Sequence, residues 1–252
     1  MRASFGGTQG HSENRPGRAE HKPARRTDQR ALDFALVLRE FALEPIGPVS
    51  IEETSAQNLL KLSTHTYWRR VWPAGVGLAA YITDRFGADG LRGRQVLDLG
   101  CGVGLIGIVC GRLGANVTFL DREAAALAAV RRNCRRNGLG PAQTIGGDWN
   151  HGGERLAPAT YDLVVGGDVV YDDAEWPALG TGLMRTLRPE GQALLADPGW
   201  VAGAKLRAAF RRSGFAVTRD RRTVSWPPWR PTHRQDKIID IYTLRRAPQE
   251  TD

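Results

Sequence analysis

The chain has 252 residues, of which 41% are hydrophobic and 25% are charged, and its formal net charge is +8. This size and apolar content suit one large α/β domain with a real core, with or without a tail. The sequence has no run of about 18 apolar residues, so it predicts no membrane span, and its first residues lack the apolar stretch of a secretory signal.

The positive charge is concentrated towards the two ends of the chain. Residues 1–30 carry seven Lys or Arg against three acids, and residues 200–252 carry twelve against five. Basic ends can favour an acidic partner or nucleic acid, although a solvated Arg-rich surface gives the same counts. Residues 1–30 are also polar, contain Pro and Gly and show no periodicity. They are therefore predicted to be a disordered basic tail before one domain at 31–252.

The hydrophobic pattern predicts strands and helices in alternation. Two short strands in FALVLREFAL and PVSIEE precede a helix in WPAGVGLAAYITDRF. From RQVLDLG onward, strands alternate with helices until FAVTRDRRTVSW and KIIDIYTLRR, which follow each other without a helix. This order predicts a Rossmann-like, doubly wound α/β sheet of seven strands, mostly parallel, with a C-terminal antiparallel hairpin.

The cysteines, Cys101, Cys110 and Cys134, are odd in number and form no close pairs. This pattern argues against a disulfide framework and against a zinc site, so no metal is predicted. Reduced thiols buried in the core, in a cytoplasmic protein, are the expected state.

A glycine-rich turn, VLDLGCGVGLIG, joins the first strand of the alternation to the helix after it. Gly102, Gly104 and Gly107 match the dinucleotide fingerprint G-x-G-x-x-G, but a lone match of this kind is a weak signal. Asp98 stands two residues before the first glycine, and its carboxylate would repel a nearby diphosphate by roughly a few kcal/mol. S-Adenosylmethionine carries a sulfonium and an ammonium group and no phosphate, so an acid at this place favours it instead.

The spacing Asp98-x-Gly100-x-Gly102-x-Gly104 is a fairly specific signature, because three glycines let the backbone approach the methionine and ribose portions of that cofactor. Two more acids follow the next two strands. Asp121 is predicted to accept hydrogen bonds from the ribose hydroxyls. Asp148 suits the adenine amino group, and Trp149 would supply a flat apolar face beside it. Ligands of open α/β sheets bind at this carboxyl edge, which makes it the predicted cofactor site.

With these residues, the sequence from about Ile51 to Leu244 resembles the class I S-adenosylmethionine-dependent methyltransferases. Three motifs narrow the resemblance to the seven-β-strand protein-lysine methyltransferases. YWRRVWPAGVGLAAYI resembles their Trp-containing helix, and VVGGDVVYD resembles their Asp-x-x-Tyr motif. LLADPGW resembles the DPGR segment of the electron-transfer-flavoprotein β-subunit lysine methyltransferases, with Trp200 in place of the arginine.

The resemblance implies S-adenosylmethionine as cofactor and a protein lysine as acceptor. It places Trp72 near the adenosine, Gly167 on the wall of the cofactor pocket, and Asp168 and Tyr171 as catalytic residues at the acceptor mouth. The attacking amine must be neutral, so Asp168 is expected to attract the ammonium and then align the amine. It is not expected to be a strong base, because an unperturbed Asp titrates at ~3.9.

Other functions remain open, because the fold alone does not settle the substrate. A small-molecule N-methyltransferase shares the same fold and cofactor turn. Methyltransferases of nucleic-acid bases typically carry an Asn/Asp-Pro-Pro-aromatic motif where this chain has GDVVY, and SWPPW near the C-terminus could stack bases or cover the sheet edge. A non-catalytic binding module and a dehydrogenase are further alternatives. His65 and His233 have no partner acid in view and are expected to be bystanders.

Overall fold

The structure is a computed structural model that describes residues 35–55, 66–149, 156–226 and 235–248. The predicted tail at 1–30, together with His65 and His233, lies outside the described residues, so these expectations stay predictions. Within the described ranges, no helix is long and apolar enough to cross a membrane.

A hairpin precedes the main sheet and forms a separate two-stranded sheet. Its strands, β1 (Leu36–Leu43) and β2 (Gly47–Thr54), pair in antiparallel register. The two short strands expected in this part of the chain are therefore confirmed.

Helices and strands alternate along most of the chain from residue 73 to β8, as the hydrophobic pattern predicts. The helices are α1 (Pro73–Phe86), α2 (Leu105–Arg112), α3 (Ala124–Arg136), α4 (Trp176–Thr186) and α5 (Gly203–Arg212). The strands are β3 (Gln95–Leu99), β4 (Asn116–Asp121), β5 (Gln143–Gly146), β6 (Tyr161–Gly167), β7 (Leu187–Asp197), β8 (Phe215–Trp226) and β9 (Gln235–Arg246).

These seven strands form one sheet in the order β5-β4-β3-β6-β7-β9-β8. Strands β3 to β7 pair in parallel, whereas β9 runs antiparallel to both β7 and β8. The predicted mostly parallel sheet with a C-terminal antiparallel hairpin is confirmed. The second strand of that hairpin lies inside the sheet and the first forms its edge.

Local sequence explains where several helices begin and end. Gly114 and Gly138 follow α2 and α3 with φ of +91° and +72°, a backbone conformation that glycine adopts without a steric penalty. Pro177 falls in the first turn of α4, where its missing N–H has no helical partner to lose. Trp72 is the residue before α1 and has an extended backbone, so it is not itself helical.

Asn133 of α3 and Asn137, the residue that follows this helix, attach the hairpin to the main domain. The side-chain carbonyl of Asn133 accepts the Glu52 N–H at 2.9 Å, and its amide donates to the carbonyl of Val103 in the glycine turn at 2.9 Å. Asn137 accepts the Ser50 N–H at 2.9 Å and donates to the Ser50 carbonyl at 2.7 Å. These two side chains therefore form hydrogen bonds with the outer edge of β2 much as a further strand would.

We expect Asn133→Ala to destabilise the protein by about 2–4 kcal/mol, because several buried backbone groups lose their partner at once. Asn133 is fully buried. Chemical denaturation measures the change. Asn116→Ala is the matched control, since that exposed side chain makes one long bond of 3.5 Å to the Gly93 carbonyl and should change stability little. Equal effects of the two substitutions would contradict the proposed attachment.

Candidate active site

The carboxyl ends of neighbouring parallel strands bring the predicted site residues to one edge of the sheet. Asp98 lies near the end of β3, Asp121 ends β4, and Asp168 follows β6. The pairings Asp98↔Phe119 and Asp98↔Val165 place these strand ends side by side. The sheet therefore gathers acids that are far apart in the sequence.

The glycine turn has the backbone that its sequence requires. Gly100, Gly102 and Gly104 have φ of +63°, +53° and +91°, all in the region that side chains disfavour. A Cβ atom on Gly102 would also lie 3.1 Å from the carbonyl oxygen of Trp68. Both the conformation and the close neighbours therefore require glycine, and the turn leaves its backbone free of side chains.

Asp98 lies beneath this turn and is 1% exposed. Its Oδ2 accepts the N–H of Gly107, in the first turn of α2, at 2.9 Å, while its buried Oδ1 has no hydrogen-bond partner among the described residues. Burial raises the pKa of Asp98 to about 7, the Gly107 hydrogen bond lowers it, and the charge of Asp121 adds to the rise. This hydrogen bond between Asp98 and α2 was not predicted from the sequence. Its only signal in the sequence is Gly107, the fourth glycine of the motif.

Asp121 links the turn to the end of β4. Its Oδ2 accepts the Gly102 N–H and its Oδ1 accepts the Glu123 N–H, both at 2.9 Å. Burial raises its pKa, and these two hydrogen bonds oppose the rise. Each carboxylate oxygen has a second lone pair, so Asp121 can still accept from a ligand hydroxyl.

Asp148 and Trp149 follow β5 at the same carboxyl edge of the sheet. Asp148 Oδ2 is 3.8 Å from Nη1 of Arg122. A Cβ atom on Gly100 would lie 3.0 Å from the Trp149 ring, and the buried indole N–H has no hydrogen-bond partner among the described residues. The structure therefore places a flat aromatic ring against the glycine turn.

The segment before α1 passes beside the same turn and carries Trp72. The indole of Trp72 donates to the carbonyl of Tyr67 at 2.9 Å, and the two rings meet edge to face at 5.7 Å. Glu53 of the hairpin, which is 3% exposed, accepts the Val71 N–H at 2.6 Å. The hairpin thus holds this segment in position through a buried carboxylate.

Gly167 ends β6, and Asp168 follows it. A Cβ atom on Gly167 would lie 3.0 Å from Ile106 and 3.1 Å from the backbone nitrogen of Gly75, so the glycine allows α1 and α2 to converge here. Asp168 has a left-handed backbone with φ of +57°, which is uncommon outside glycine, and its N–H donates to the Ala196 carbonyl at 3.0 Å. Strained backbone of this kind is frequent at functional sites.

The Asp168 carboxyl is mostly buried, and its Oδ2 has no hydrogen-bond partner among the described residues. Burial raises its pKa to about 7, and the charge of Asp197 contributes to the rise. Interactions with the Trp200 side chain and the Ala74 backbone amide lower it. Sequence reasoning assumed an unperturbed carboxyl at this position, because the burial that perturbs it comes from distant segments.

Tyr171 lies at the rim and is 52% exposed. Burial of its hydroxyl raises its pKa, and the charged groups that act on it include Glu175, Arg122 and Asp148. The structure therefore places Tyr171 near the Arg122–Asp148 pair. No hydrogen bond joins it to Asp168 in the part of the chain that the structure describes.

A cleft of about 360 Å³ lies at the opposite, amino edge of the sheet. Its lining includes Arg85, Arg94, Asp162, Gln192 and Arg245. Because ligands of open α/β sheets bind beyond the carboxyl ends of the strands, this cleft is not the candidate active site.

The residues at the carboxyl edge fit S-adenosylmethionine. Bare backbone in the glycine turn permits close approach, and the carboxyl groups of Asp98 and Asp121 lie beside it. A diphosphate would meet two carboxylates at this place, whereas a sulfonium and an ammonium group are attracted to them. In the described ranges, no cluster of His, Cys, Asp and Glu could hold a metal ion.

Two solved structures of methyltransferases share this fold. The T. thermophilus 16S rRNA N2 G1207 methyltransferase RsmC, in complex with AdoMet and guanosine, superposes with a TM-score of 0.56 at 19% identity, covering 84% of this chain and 51% of that one. Magnesium protoporphyrin IX methyltransferase from Synechocystis, with bound SAM, gives 0.54 at 19% identity, covering 75% and 89%. At this identity the likeness establishes the fold.

Curated relatives are closer in sequence. Protein N-lysine methyltransferase METTL21A of Mus musculus is 32% identical over 72% of this chain and 79% of its own length. The Danio rerio protein of that name is 35% identical over 55% of this chain and 66% of its own length. The electron transfer flavoprotein beta subunit lysine methyltransferase of Danio rerio is 36% identical over 53% of this chain, which spans 50% of that relative.

The family comparison agrees with the geometry of the site. Residues 58–197 match the lysine methyltransferase family, and this range contains the glycine turn, the acids at the strand ends and Asp168. The chain therefore belongs to the lysine methyltransferase family and is an S-adenosylmethionine-dependent methyltransferase.

Proposed function

We propose that this enzyme methylates the side-chain amine of lysine residues in a protein substrate. The family match and the names of its relatives support this acceptor. The observation that carries the proposal is Asp168, a mostly buried carboxyl at the carboxyl edge with one unpaired oxygen. A carboxylate in that position attracts a cationic amine and has an oxygen left to receive its hydrogen bond.

The proposed cofactor residues surround the glycine turn. Asp98 places its negative charge beneath the turn, Asp121 offers its remaining lone pairs to the ribose, and the Trp149 ring lies against the turn. When bound, S-adenosylmethionine supplies a methyl group on a positively charged sulfur, which is a good leaving group. The residues proposed to hold it are Trp72, Asp98, Gly100, Gly102, Gly104, Asp121, Asp148, Trp149 and Gly167.

Asp168 is the proposed catalytic carboxylate. Free lysine titrates at ~10.4 and an unperturbed Asp at ~3.9, so moving the proton between them costs ~9 kcal/mol. With the pKa of Asp168 raised to about 7, the same transfer costs ~5 kcal/mol, and burial of the amine lowers that cost further. Asp168 is thus a better proton acceptor than its residue type suggests.

In the proposed reaction, Asp168 Oδ2 first binds the lysine ammonium and takes one of its protons. The nitrogen lone pair then forms a bond to the methyl carbon as the carbon–sulfur bond breaks, and the sulfur keeps that electron pair. Holding the amine in line with the breaking bond supplies much of the rate enhancement. We propose that Tyr171 borders the acceptor entrance from the rim.

Radiolabelled S-adenosylmethionine and a cell lysate test this function. We expect label in the protein fraction, and acid hydrolysis should recover it as methylated lysine. A parallel reaction with the Asp168→Ala variant, which should keep its affinity for the cofactor, is the control for other methyltransferases in the lysate. Label confined to RNA or to small molecules would overturn the lysine proposal and support one of the alternatives.

We also propose a cytoplasmic location. The three cysteines are free and buried, as expected where thiols stay reduced. Immunofluorescence of the tagged full chain tests this, and a signal confined to an organelle would contradict it.

A further inference from the structure

Trp200 is an unusual residue to find on a surface. It is 72% exposed, the largest exposed fraction among the large hydrophobic side chains that the structure describes. Most tryptophans are largely buried, because an exposed indole forgoes a large hydrophobic gain. An exposed ring at the edge of a catalytic site therefore calls for a ligand.

The loop that carries Trp200 is held firmly from below. Asp197, at the end of β7, accepts the N–H groups of Gly199, Trp200 and Val201 at 2.9, 3.3 and 3.4 Å. Gly199 has φ of +92°, which supports the tight turn. Asp197 is 1% exposed, so its hydrogen bonds anchor the turn in the core. They thereby fix the position of the Trp200 backbone from which the exposed ring extends.

Strand register places this loop beside Asp168. Gly167 pairs with Ala196 across β6 and β7, so the residues that follow them, Asp168 and Asp197, lie at the carboxyl ends of adjacent strands. The Trp200 side chain also interacts with the Asp168 carboxyl. The exposed indole and the buried carboxylate are therefore neighbours.

Three acids meet at this corner of the sheet, but only one has an unused oxygen. Asp197 is occupied by its own loop. Asp240, opposite it on β9, accepts from Arg219, Arg221 and Tyr242. Among these three acids, Asp168 alone has an oxygen without a partner in the described parts of the chain.

We propose that Trp200 and Asp168 together form the subsite for the acceptor ammonium, with the cation against the indole face and hydrogen-bonded to Asp168 Oδ2. Tryptophan is the aromatic side chain that attracts cations best. An arginine at position 200, as in the DPGR motif that this segment resembles, would instead place a like charge beside the incoming amine. This inference rests on the proposed function and names the groups that select its substrate.

Binding of n-butylammonium, the charged end of a lysine side chain, tests the subsite without any protein substrate. The probe is titrated into the full chain saturated with S-adenosylhomocysteine, and indole N–H resonances are followed by NMR. We expect n-butylammonium to bind about three- to tenfold more tightly than uncharged n-butanol and to shift one indole signal, and we expect Trp200→Ala to reduce that preference, with Asp168 retaining the remainder. Trp200→Phe should keep part of it, and Trp200→Arg should bind the cation more weakly than Trp200→Ala.

Ile238→Ala is the matched control, because Ile238 is an exposed apolar residue, 59% accessible, on β9. It should leave both affinities unchanged. Equal binding of the cation and the alcohol in the wild type, or an unchanged preference in Trp200→Ala, would overturn the subsite while leaving lysine methylation intact. If the lysate assay recovers no label as methylated lysine while the wild type still prefers n-butylammonium to n-butanol, the proposed function is overturned instead.

Discussion

Asp168→Asn is expected to lower methyl transfer at least ~100-fold while making the protein without cofactor more stable at pH 8. Asn is nearly the same size, tolerates the left-handed backbone at this position, and cannot take the proton from the acceptor. The gain in stability follows from burial, which raises the pKa of the carboxyl to about 7. The buried charge of Asp168 therefore destabilises the wild-type protein above its pKa. The uncharged amide of Asn removes this destabilisation.

The sign of this effect fixes its pH dependence. The folded-state pKa of Asp168 lies above the unfolded value of ~3.9, so its contribution to stability is fully present below pH ~4 and is lost as the pH rises through 7. We expect Asp168→Asn to be more stable than the wild type by about 1–4 kcal/mol at pH 8 and by almost nothing at pH 4. Asp98, whose pKa is also about 7, is unchanged in both proteins and cancels in the comparison.

Denaturant titrations at pH 4, 6 and 8 measure the stability difference, and calorimetry with S-adenosylhomocysteine checks that the cofactor site survives. In the wild type, kcat/KM should rise with pH through the ionisation of Asp168. A stability difference that is the same at all three pH values would mean that the carboxyl is not titrating as its burial requires. Full activity in the variant would remove Asp168 from the mechanism.

The fold is readable from the sequence because its signals are local and repeat. Helical spacing in α3, buried runs in β6 and glycines after α2 and α3 each set an element without reference to distant residues. The position of β9 is different, since an antiparallel strand can pair with β7 or lie at the edge with equal local preference. Only packing of the whole sheet, with Tyr242 and Leu244 buried in its core, settles that choice.

The candidate site divides in the same way. The glycines and the acids at the strand ends can be predicted because their spacing reflects a turn and a sheet edge. The burial of Asp168, the Asp197 anchor beneath Trp200 and the Asn133 bond to Val103 all join residues that are distant in sequence. A single sequence offers no local signal for such contacts, so their consequences for pKa and rigidity appear only in the folded chain.

Gly107 differs from the other glycines of the motif, because its backbone conformation does not require glycine whereas its close neighbours do. It lies within α2, where alanine would ordinarily be preferred. A Cβ atom there would lie 2.3 Å from Cε1 of Phe119 and 2.8 Å from Oδ2 of Asp98. The missing side chain is therefore what allows Asp98 to reach the Gly107 N–H and fix the start of α2 below the cofactor turn.

Gly107→Ala is accordingly expected to destabilise the protein by about 2–3 kcal/mol, the cost of overpacking a buried contact. It should weaken S-adenosylmethionine binding more than tenfold, because α2 can admit the methyl group only by moving away from Asp98 and carrying the turn with it. Denaturant titration and calorimetry measure the two effects. Gly182→Ala in α4 is the matched control: no atom lies within 4 Å of its Cβ position, so the same change should stabilise by about 0.5–1 kcal/mol. If both alanines stabilise, Asp98 and Phe119 do not constrain the start of α2, and the fourth glycine has no part in shaping the cofactor site.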